Sequence, residues 1–151
     1  MTNALTASEE MKVIVFRIEK EEYAIPVQFI QSIERMLPIT RIPNADSFVK
    51  GVMNLRGVIT PVIDLRLRFG LDEKEVDDTT RILVISKDQL DFGLIVDEAK
   101  DVFDFPKHKI EPTPEVIGSV EAEYLNGVIK LGDKLFTLLK LEKIIDNELI
   151  I

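Results

Sequence analysis

The chain has 151 residues, of which 46% are hydrophobic, so it can bury a core without metal or disulfide support. It contains no cysteine, which excludes disulfides, thiolate metal sites and cysteine nucleophiles. Its formal net charge of -8 disfavours binding to nucleic-acid backbones and to anionic membrane surfaces. No apolar stretch approaches the roughly 20 residues that a membrane helix needs.

The chain begins with two short segments that predict paired strands. Residues 11–18 alternate between two faces and are rich in β-branched side chains, which favours a strand with a buried face. A turn at Lys20 and Glu21 leads to a return strand over residues 22–25, and Pro26 ends its ladder or lies at an edge. The N-terminal residues 1–10 are expected to form a flexible tail.

The next segment changes its period. Val27, Ile30 and Ile33 recur at every third residue, which predicts a short helix or an irregular turn. These three side chains have two interpretations that the sequence leaves open. They pack in the core, or they line an apolar groove between two lobes that receives a helix from a partner.

The clearest hairpin in the sequence is predicted over residues 52–65. A strand leads into a tight turn at Arg56 and Gly57, and a second strand follows in which Pro61 suggests an edge or a bulge. Arg56 therefore stands at the tip of a rigid hairpin, where its planar donor group could recognise a protein. The alternative is that Arg56 is simply solvated.

Hairpins are also predicted in the second half of the chain. Residues 81–85 and 92–96 flank a turn, residues 102–105 form a further strand, and residues 128–131 and 135–139 flank Gly132 and Asp133. A short helix is predicted at the C-terminal end from residue 141. The acidic stretch 72–78 is expected to be a solvated loop, with docking of a basic partner as the alternative.

About nine or ten short strands with frequent turn signals predict an all-β sandwich or barrel fold. Two small barrels packed together would suit this length, although no clear internal repeat is visible in the sequence. Strands do not alternate with helices, which excludes a parallel α/β fold.

Residues that could carry catalysis are few. The single histidine, His108, lies between lysines in a proline-rich loop and is expected to be a solvated surface residue. Asp64 and Asp97 stand at the ends of apolar strands, where each is expected to cap a turn or pair with an arginine. The alternative for these two is an acid pair of a small hydrolase.

Residues 41–65, RIPNADSFVKGVMNLRGVITPVIDL, resemble the signature stretch of the CheW family. The resemblance extends to EYAI at 22–25, to FGLIVD at 92–97, to YLNG at 124–127 and to LLKL at 138–141. Together these segments cover roughly residues 11–147. One departure is Ser32, where many relatives have an acid. A partner contact made by that acid would be either weaker here or rebuilt, for example through Glu34.

The resemblance implies an all-β fold of two intertwined five-stranded SH3-like β-barrels that share a hydrophobic core, with a short C-terminal helix. It implies a single domain over residues 11–147, with tails at 1–10 and 148–151. It also implies a non-catalytic adaptor that couples chemoreceptors to the histidine kinase CheA, with no cofactor or metal. Such a protein is expected in the cytoplasm, recruited to membrane-associated receptor arrays.

The resemblance further implies two binding surfaces. The receptor-side residues would be Arg56, Ile14, Val27, Ile30 and Ile33. The kinase-side residues would be Ile39, Ile42, Pro43 and Phe48 on one lobe, and Val116 on the other lobe, where it would meet a kinase domain of a neighbouring unit.

Two other functions remain open at this stage. The chain could be an isolated CheW-like domain of a related chemotaxis protein, or a small carboxylate-dependent hydrolase. A β-barrel nucleic-acid binder ranks last, because the chain is acidic and has no tryptophan.

Overall fold

The structure is a computed structural model that describes residues 10–112, 116–117 and 120–145. The strands are β1 (Glu10–Ile18), β2 (Glu21–Pro26), β3 (Ile30–Glu34), β4 (Ile39–Thr40), β5 (Val49–Leu55), β6 (Val58–Asp64), β7 (Arg81–Lys87), β8 (Leu90–Val96), β9 (Glu98–Pro106), β10 (Ile110–Glu111), β11 (Val116–Ile117), β12 (Val120–Glu121), β13 (Leu125–Leu131) and β14 (Lys134–Leu139). The two helices are α1 (Leu65–Arg68) and α2 (Leu141–Ile144).

The predicted hairpins are confirmed, and the segment after Pro26 needs a correction. Only Val27–Phe29 forms a helical turn, of the 3-10 type, and the chain then extends at once into β3. The three-residue spacing therefore joins one residue of a turn, Val27, to two residues of a strand, Ile30 and Ile33. The sequence also gave no signal for α1, which begins directly at the end of β6.

Two six-stranded sheets carry the fold. Strands β3 to β8 form the central lobe, in the order β3-β7-β8-β6-β5-β4. The terminal lobe has the order β10-β13-β14-β2-β1-β9, and β11 and β12 pair separately. The all-β prediction is confirmed. Each sheet has one strand more than predicted, because a two-residue strand, β4 or β10, lies at its edge.

Each sheet curls into a barrel, as the short connections between its edge strands require. In a flat sheet the edge strands β3 and β4 would lie about 24 Å apart. The four-residue link from Glu34 to Ile39 spans at most about 18 Å, so the edges must approach each other. The terminal lobe has the same arrangement, because the turn Lys107–Lys109 joins its edge strands β9 and β10.

The buried side chains form three clusters. One lies inside the central lobe and includes Met53 and Val62, and one lies inside the terminal lobe and includes Val15 and Phe136. The largest cluster lies between the lobes. It contains Tyr23, whose ring is 5.3 Å from that of Phe69, and Phe69 in turn is 5.7 Å from Tyr124. The two lobes therefore share a core, as predicted.

The lobes are related by an internal repeat that the sequence did not reveal. Each sheet contains one parallel pair of strands, β6 with β8 in the central lobe and β14 with β2 in the terminal lobe. The two pairs occupy the same position in the strand orders of their sheets. Asp64 N donates to Phe48 O at 2.8 Å, and Lys140 N donates to Tyr124 O at the same distance. Strands β5, β6 and helix α1 are thus equivalent to β13, β14 and α2.

The same register makes the β1–β2 hairpin equivalent to the β7–β8 hairpin. Each of these hairpins pairs with strands from the other half of the chain, since β1 and β2 lie beside β9 and β14 while β7 and β8 lie beside β3 and β6. The exchange of hairpins is what intertwines the two lobes.

Candidate interaction surfaces

The tip of the β5–β6 hairpin presents Arg56 to solvent. Arg56 and Gly57 have φ angles of 49° and 87°, which is the left-handed pair of a type I′ turn. Gly57 N donates to Asn54 Oδ1 at 2.8 Å, which fixes the turn. The Arg56 side chain is 67% exposed.

Arg56 is held by a residue of β3. Its Nη1 donates to Glu34 Oε2 at 3.2 Å, and Glu34 directly follows Ile33 along the chain. The hydroxyl of Ser32 and the guanidinium of Arg56 lower the pKa of the Glu34 carboxyl below its ordinary value. Glu34 therefore stays ionised and keeps the arginine beside β3.

An apolar surface lies between the lobes, where the turn Val27–Phe29 contacts both β1 and β7. Val27 and Ile30 are half-buried there, and Ile33 is 44% exposed. Ile14 is only 7% exposed, so it can form the floor of such a groove and not its rim. The structure thus brings the four predicted aliphatic residues to strands and a turn that meet at the lobe boundary.

Sequence reasoning missed Val102 on this surface. Val102 lies opposite Ile14 in the β1–β9 ladder and is 53% exposed. The repeat makes Ile14 in β1 equivalent to Leu83 in β7. Since Val102 lies opposite Ile14 and Ile33 lies opposite Leu83, Val102 in β9 is equivalent to Ile33 in β3. Only the register could find it, since an alternating strand does not say which face is open.

The residues predicted for a kinase face differ in their exposure to solvent. Ile42 and Pro43 are exposed, whereas Ile39 packs against the core of the central lobe. Phe48 packs on the inter-lobe core, and the guanidinium of Arg68 lies 4.3 Å from its ring centroid. Val116 lies in β11, and its side chain is outside the described part of the structure.

Asp64 and Asp97 line one small cavity, and both have structural partners there. The Asp64 carboxylate caps α1 by accepting from Arg66 N at 3.0 Å and Leu67 N at 3.4 Å, while burial raises its pKa. Asp97 Oδ2 accepts from Arg66 Nη1 at 3.2 Å and from Glu19 N at 2.8 Å. These contacts agree with the expectation that each of the two carboxylates caps a turn or pairs with an arginine.

The remaining charged features are surface features. His108 is exposed in the turn Lys107–Lys109. The acidic loop is exposed from Asp72 to Asp78, and it holds ion pairs from Lys50 to Glu73 and from Lys74 to Asp77. Among the described residues there is no group of three acidic or histidine side chains that could hold a metal ion. The described part also has no helix of the length and apolarity that a membrane crossing requires.

A twin-lobed β-barrel body with a tethered arginine and an aliphatic inter-lobe surface defines a protein-interaction domain. Comparison with known proteins agrees with this class. The family model described as "CheW-like domain" matches residues 12–149, and the chain belongs to that family.

Similar relatives cover nearly the whole chain. The chemotaxis protein CheW of Bacillus subtilis is 38% identical over 98% of this chain and 94% of its own length. The CheW protein of Klebsiella aerogenes is 37% identical over 89% of this chain and 81% of its own length. The solved structure of the scaffolding protein TtCheW from Thermoanaerobacter tengcongensis gives a TM-score of 0.84 at 32% identity, covering 90% of this chain and 92% of the other.

Proposed function

We propose that the chain is a non-catalytic adaptor that binds the cytoplasmic tip of a chemoreceptor and the regulatory domain of the histidine kinase CheA. It acts in the cytoplasm, at membrane-associated receptor arrays, by holding the two partners in a fixed relation. Membership of the CheW-like domain family and similarity to a protein described as a scaffold support this proposal.

The observation that carries the proposal is the position of Arg56. The repeat makes Arg56 equivalent to Gly132, which has a φ of 59° in the turn of the β13–β14 hairpin. A left-handed backbone favours glycine over residues with a long side chain by roughly 1–2 kcal/mol. One repeat thus has the residue that the backbone prefers, and the other has an arginine, which supports a binding role for Arg56.

The groove is suited to an amphipathic helix. Ile33 and Val102 are exposed at equivalent positions in β3 and β9, and Val27 and Ile30 lie half-buried at the lobe boundary. Spaced aliphatic anchors of this kind receive the apolar face of a helix. Arg56, tethered through Glu34 beside Ile33, would then contact polar groups of the same receptor helix.

The kinase face is proposed around Ile42 and Pro43, the two exposed members of the predicted set. Ile39 and Phe48 would support this face from below, because both pack against buried clusters. Val116 would provide a second contact on the terminal lobe.

A reconstitution tests the proposal directly. Kinase activity is measured with a cognate CheA and a receptor fragment, with and without the chain, and the adaptor should make the activity depend on the receptor. An unchanged kinase activity in every mixture would reject the proposal, as would turnover of a small substrate by the chain alone.

A matched pair of variants tests the groove. Ile33→Asp is expected to weaken receptor binding at least tenfold, because a carboxylate would enter an apolar contact. Leu135→Asp is the control, since Leu135 is 41% exposed in a strand of the other lobe and lies outside the groove. Equal receptor binding by the two variants would remove Ile33 from the interface.

A further inference from the structure

The apolar groove between the lobes has two equivalent sides. The repeat is reciprocal, because each half of the chain lends a hairpin to the other lobe. Two parts that exchange in this way are related by a two-fold axis, as in a closed dimer. Ile33 and Val102 are equivalent and exposed, and their ladder partners Leu83 and Ile14 are equivalent and buried. A half-turn about the axis therefore carries the groove onto itself.

The same half-turn reverses the direction of a helix that lies in the groove. Ile33 and Val102 offer an aliphatic contact on each side, and the equivalent residues Ile30 and Ala99 both pack against the inter-lobe core. The apolar face of a helix therefore meets similar contacts in either direction. These contacts fix where the helix lies, and its direction must come from groups that differ between the two sides.

The charged residues beside the groove do differ between the two sides. We name the central flank, residues 30–35 and 56–58, and the terminal flank, the equivalent residues 99–104 and 132–134. The central flank contains two arginines and one acid, whereas the terminal flank contains two lysines and three acids. Arg81 and Lys12 in the neighbouring strands are equivalent cations and leave this difference unchanged. The central flank is thus net positive and the terminal flank net negative.

Two pairs of equivalent positions carry most of this difference. Arg56 corresponds to Gly132, and Arg35, directly after β3, corresponds to Asp104 in β9. All four positions are exposed. Glu34 accepts from Nη1 of Arg56, which holds the arginine beside β3 and leaves its remaining donors for a partner. A carboxylate on a bound helix therefore finds arginine donors on the central flank and an acid at the equivalent place on the other.

We propose, on the basis of the receptor binding proposed above, that this charge difference selects the direction of the receptor helix in the groove. The end of the helix that carries acidic side chains beside its apolar face lies on the central flank, against Arg56 and Arg35. Complementary charges across an interface fix the orientation of a partner more than its affinity. One direction gives every bound receptor the same relation to the kinase face on the central lobe.

A transposed variant tests the proposal, because it exchanges the residues at the two pairs of equivalent positions. Its substitutions are Arg56→Gly, Gly132→Arg, Arg35→Asp and Asp104→Arg, so composition and net charge stay as they are in the natural chain. The φ angles of Arg56 and Gly132 are 49° and 59°, so the two turns offer an arginine the same backbone. The probe is the cytoplasmic tip fragment of a cognate chemoreceptor, spin-labelled at the acidic end of its contacting helix.

Distances from this label to each lobe report the direction of the helix. Because the natural chain has no cysteine, Thr40→Cys or Glu111→Cys gives a single labelling site. These two positions are equivalent and exposed, in the edge strands β4 and β10. The acidic end should lie nearer to position 40 in the natural chain, with about a fivefold excess of that direction, as one exposed ion pair gives. In the transposed variant it should lie nearer to position 111.

The control exchanges Lys50 and Asn126, which are equivalent positions outside the groove, and it should keep the natural direction. A simpler variant, Arg56→Gly with Arg35→Gln, should bind the fragment in nearly equal amounts of both directions. A thermal melt of each variant checks that it is folded.

Two kinds of failure can be told apart. The natural direction in the transposed or the simpler variant, or equal amounts of both directions in the natural chain, would overturn the selection of direction while receptor binding stands. A natural chain that does not bind the fragment at all would reject the proposed function, and the selection of direction with it.

Discussion

Arg56 Nη1 lies 3.2 Å from Glu34 Oε2, and this contact joins a hairpin near one edge of the central sheet to the strand at the other edge. The pair therefore helps to close the barrel while it orients the arginine for binding. Because Arg56 is 67% exposed, water screens the pair and its contribution to stability is small, typically about 0–1 kcal/mol. The geometry of the arginine matters more than the strength of its ion pair.

Arg56→Gly separates binding from stability. Glycine relieves a left-handed backbone at φ 49° and loses only the exposed ion pair. The free energy of unfolding should stay within about 1 kcal/mol of the natural value. Receptor pull-down should nevertheless fall clearly. Urea denaturation and a pull-down with a receptor fragment provide the two measurements.

The matched control for that change is Arg81→Gly, which removes an arginine outside the hairpin tip and the groove. Receptor binding by this variant should be unaffected. Unfolding of Arg56→Gly would show that Arg56 is structural, and full receptor binding by it would take Arg56 out of the interface.

Three glycines should respond to alanine in a graded order. A Cβ at Gly51 would lie 2.0 Å from Thr40 O, so Gly51→Ala must displace backbone and should cost at least about 3 kcal/mol. At Gly127 the Cβ would meet the movable Ile110 Cγ2 at 2.6 Å, so the loss should be smaller. A Cβ at Gly57 would meet no neighbouring atom, so Gly57→Ala should cost about 1 kcal/mol of stability, from the positive φ alone. Chemical denaturation of the three variants gives the order, and a Gly51→Ala protein as stable as Gly57→Ala would contradict it.

Asp64 should make stability depend on pH in a direction opposite to that of most carboxylates. Burial raises its folded pKa, so its stabilising contribution is complete below the unfolded pKa of 3.8 and is lost as the pH rises through the folded value. Asp64→Asn keeps a capping oxygen without the charge. This variant should therefore gain stability relative to the natural protein as the pH rises over that window.

Asp64→Ala is the control, because it removes the charge and the cap together. At pH 7 it should be about 1 kcal/mol less stable than Asp64→Asn. Denaturation curves at several pH values distinguish the two effects. A loss of stability of Asp64→Asn relative to the natural protein as the pH rises would contradict this prediction.

Arg66→Met should remove the ion pairs of Arg66 with Asp97 and Glu19. The expected loss of stability is roughly 3 kcal/mol, the lower end of the range typical of a buried pair that loses one partner. The low end applies because Asp97 keeps the Glu19 amide and has Arg17 at 3.9 Å. Adding Asp97→Asn should recover part of the loss, since it removes the stranded charge. Denaturant titration of the single and double variants measures both effects.

Lys12→Met provides the comparison, because Lys12 and Asp104 form a pair that is more than half exposed on both sides. Its loss should be below about 1 kcal/mol. An Arg66→Met protein no less stable than Lys12→Met would show that the ion pairs of Arg66 do not hold the lobes together.

The sequence by itself determined the strands, the main hairpins and the family. Alternating β-branched residues and turn residues act locally, so the ladders of β1 and β2, of β5 and β6 and of β7 and β8 could be read from the chain. The exposed position of Arg56 followed from the same local signals. The structural roles of Asp64 and Asp97 were also expected from their places at strand ends, although their partners were not.

Only the tertiary structure decided which apolar side chains are covered and which positions of the two lobes are equivalent. Ile14 and Val102 lie opposite each other in one ladder, yet the first is buried and the second is exposed, because burial depends on which lobe packs above them. The repeat leaves only a faint trace in the sequence, GVMNL at 51–55 against GVIKL at 127–131, because other equivalent residues such as Arg66 and Glu142 share a backbone position and no side-chain chemistry. The partner that a residue faces across a sheet is set by pairing between strands that are distant in sequence, and local sequence patterns do not specify that pairing.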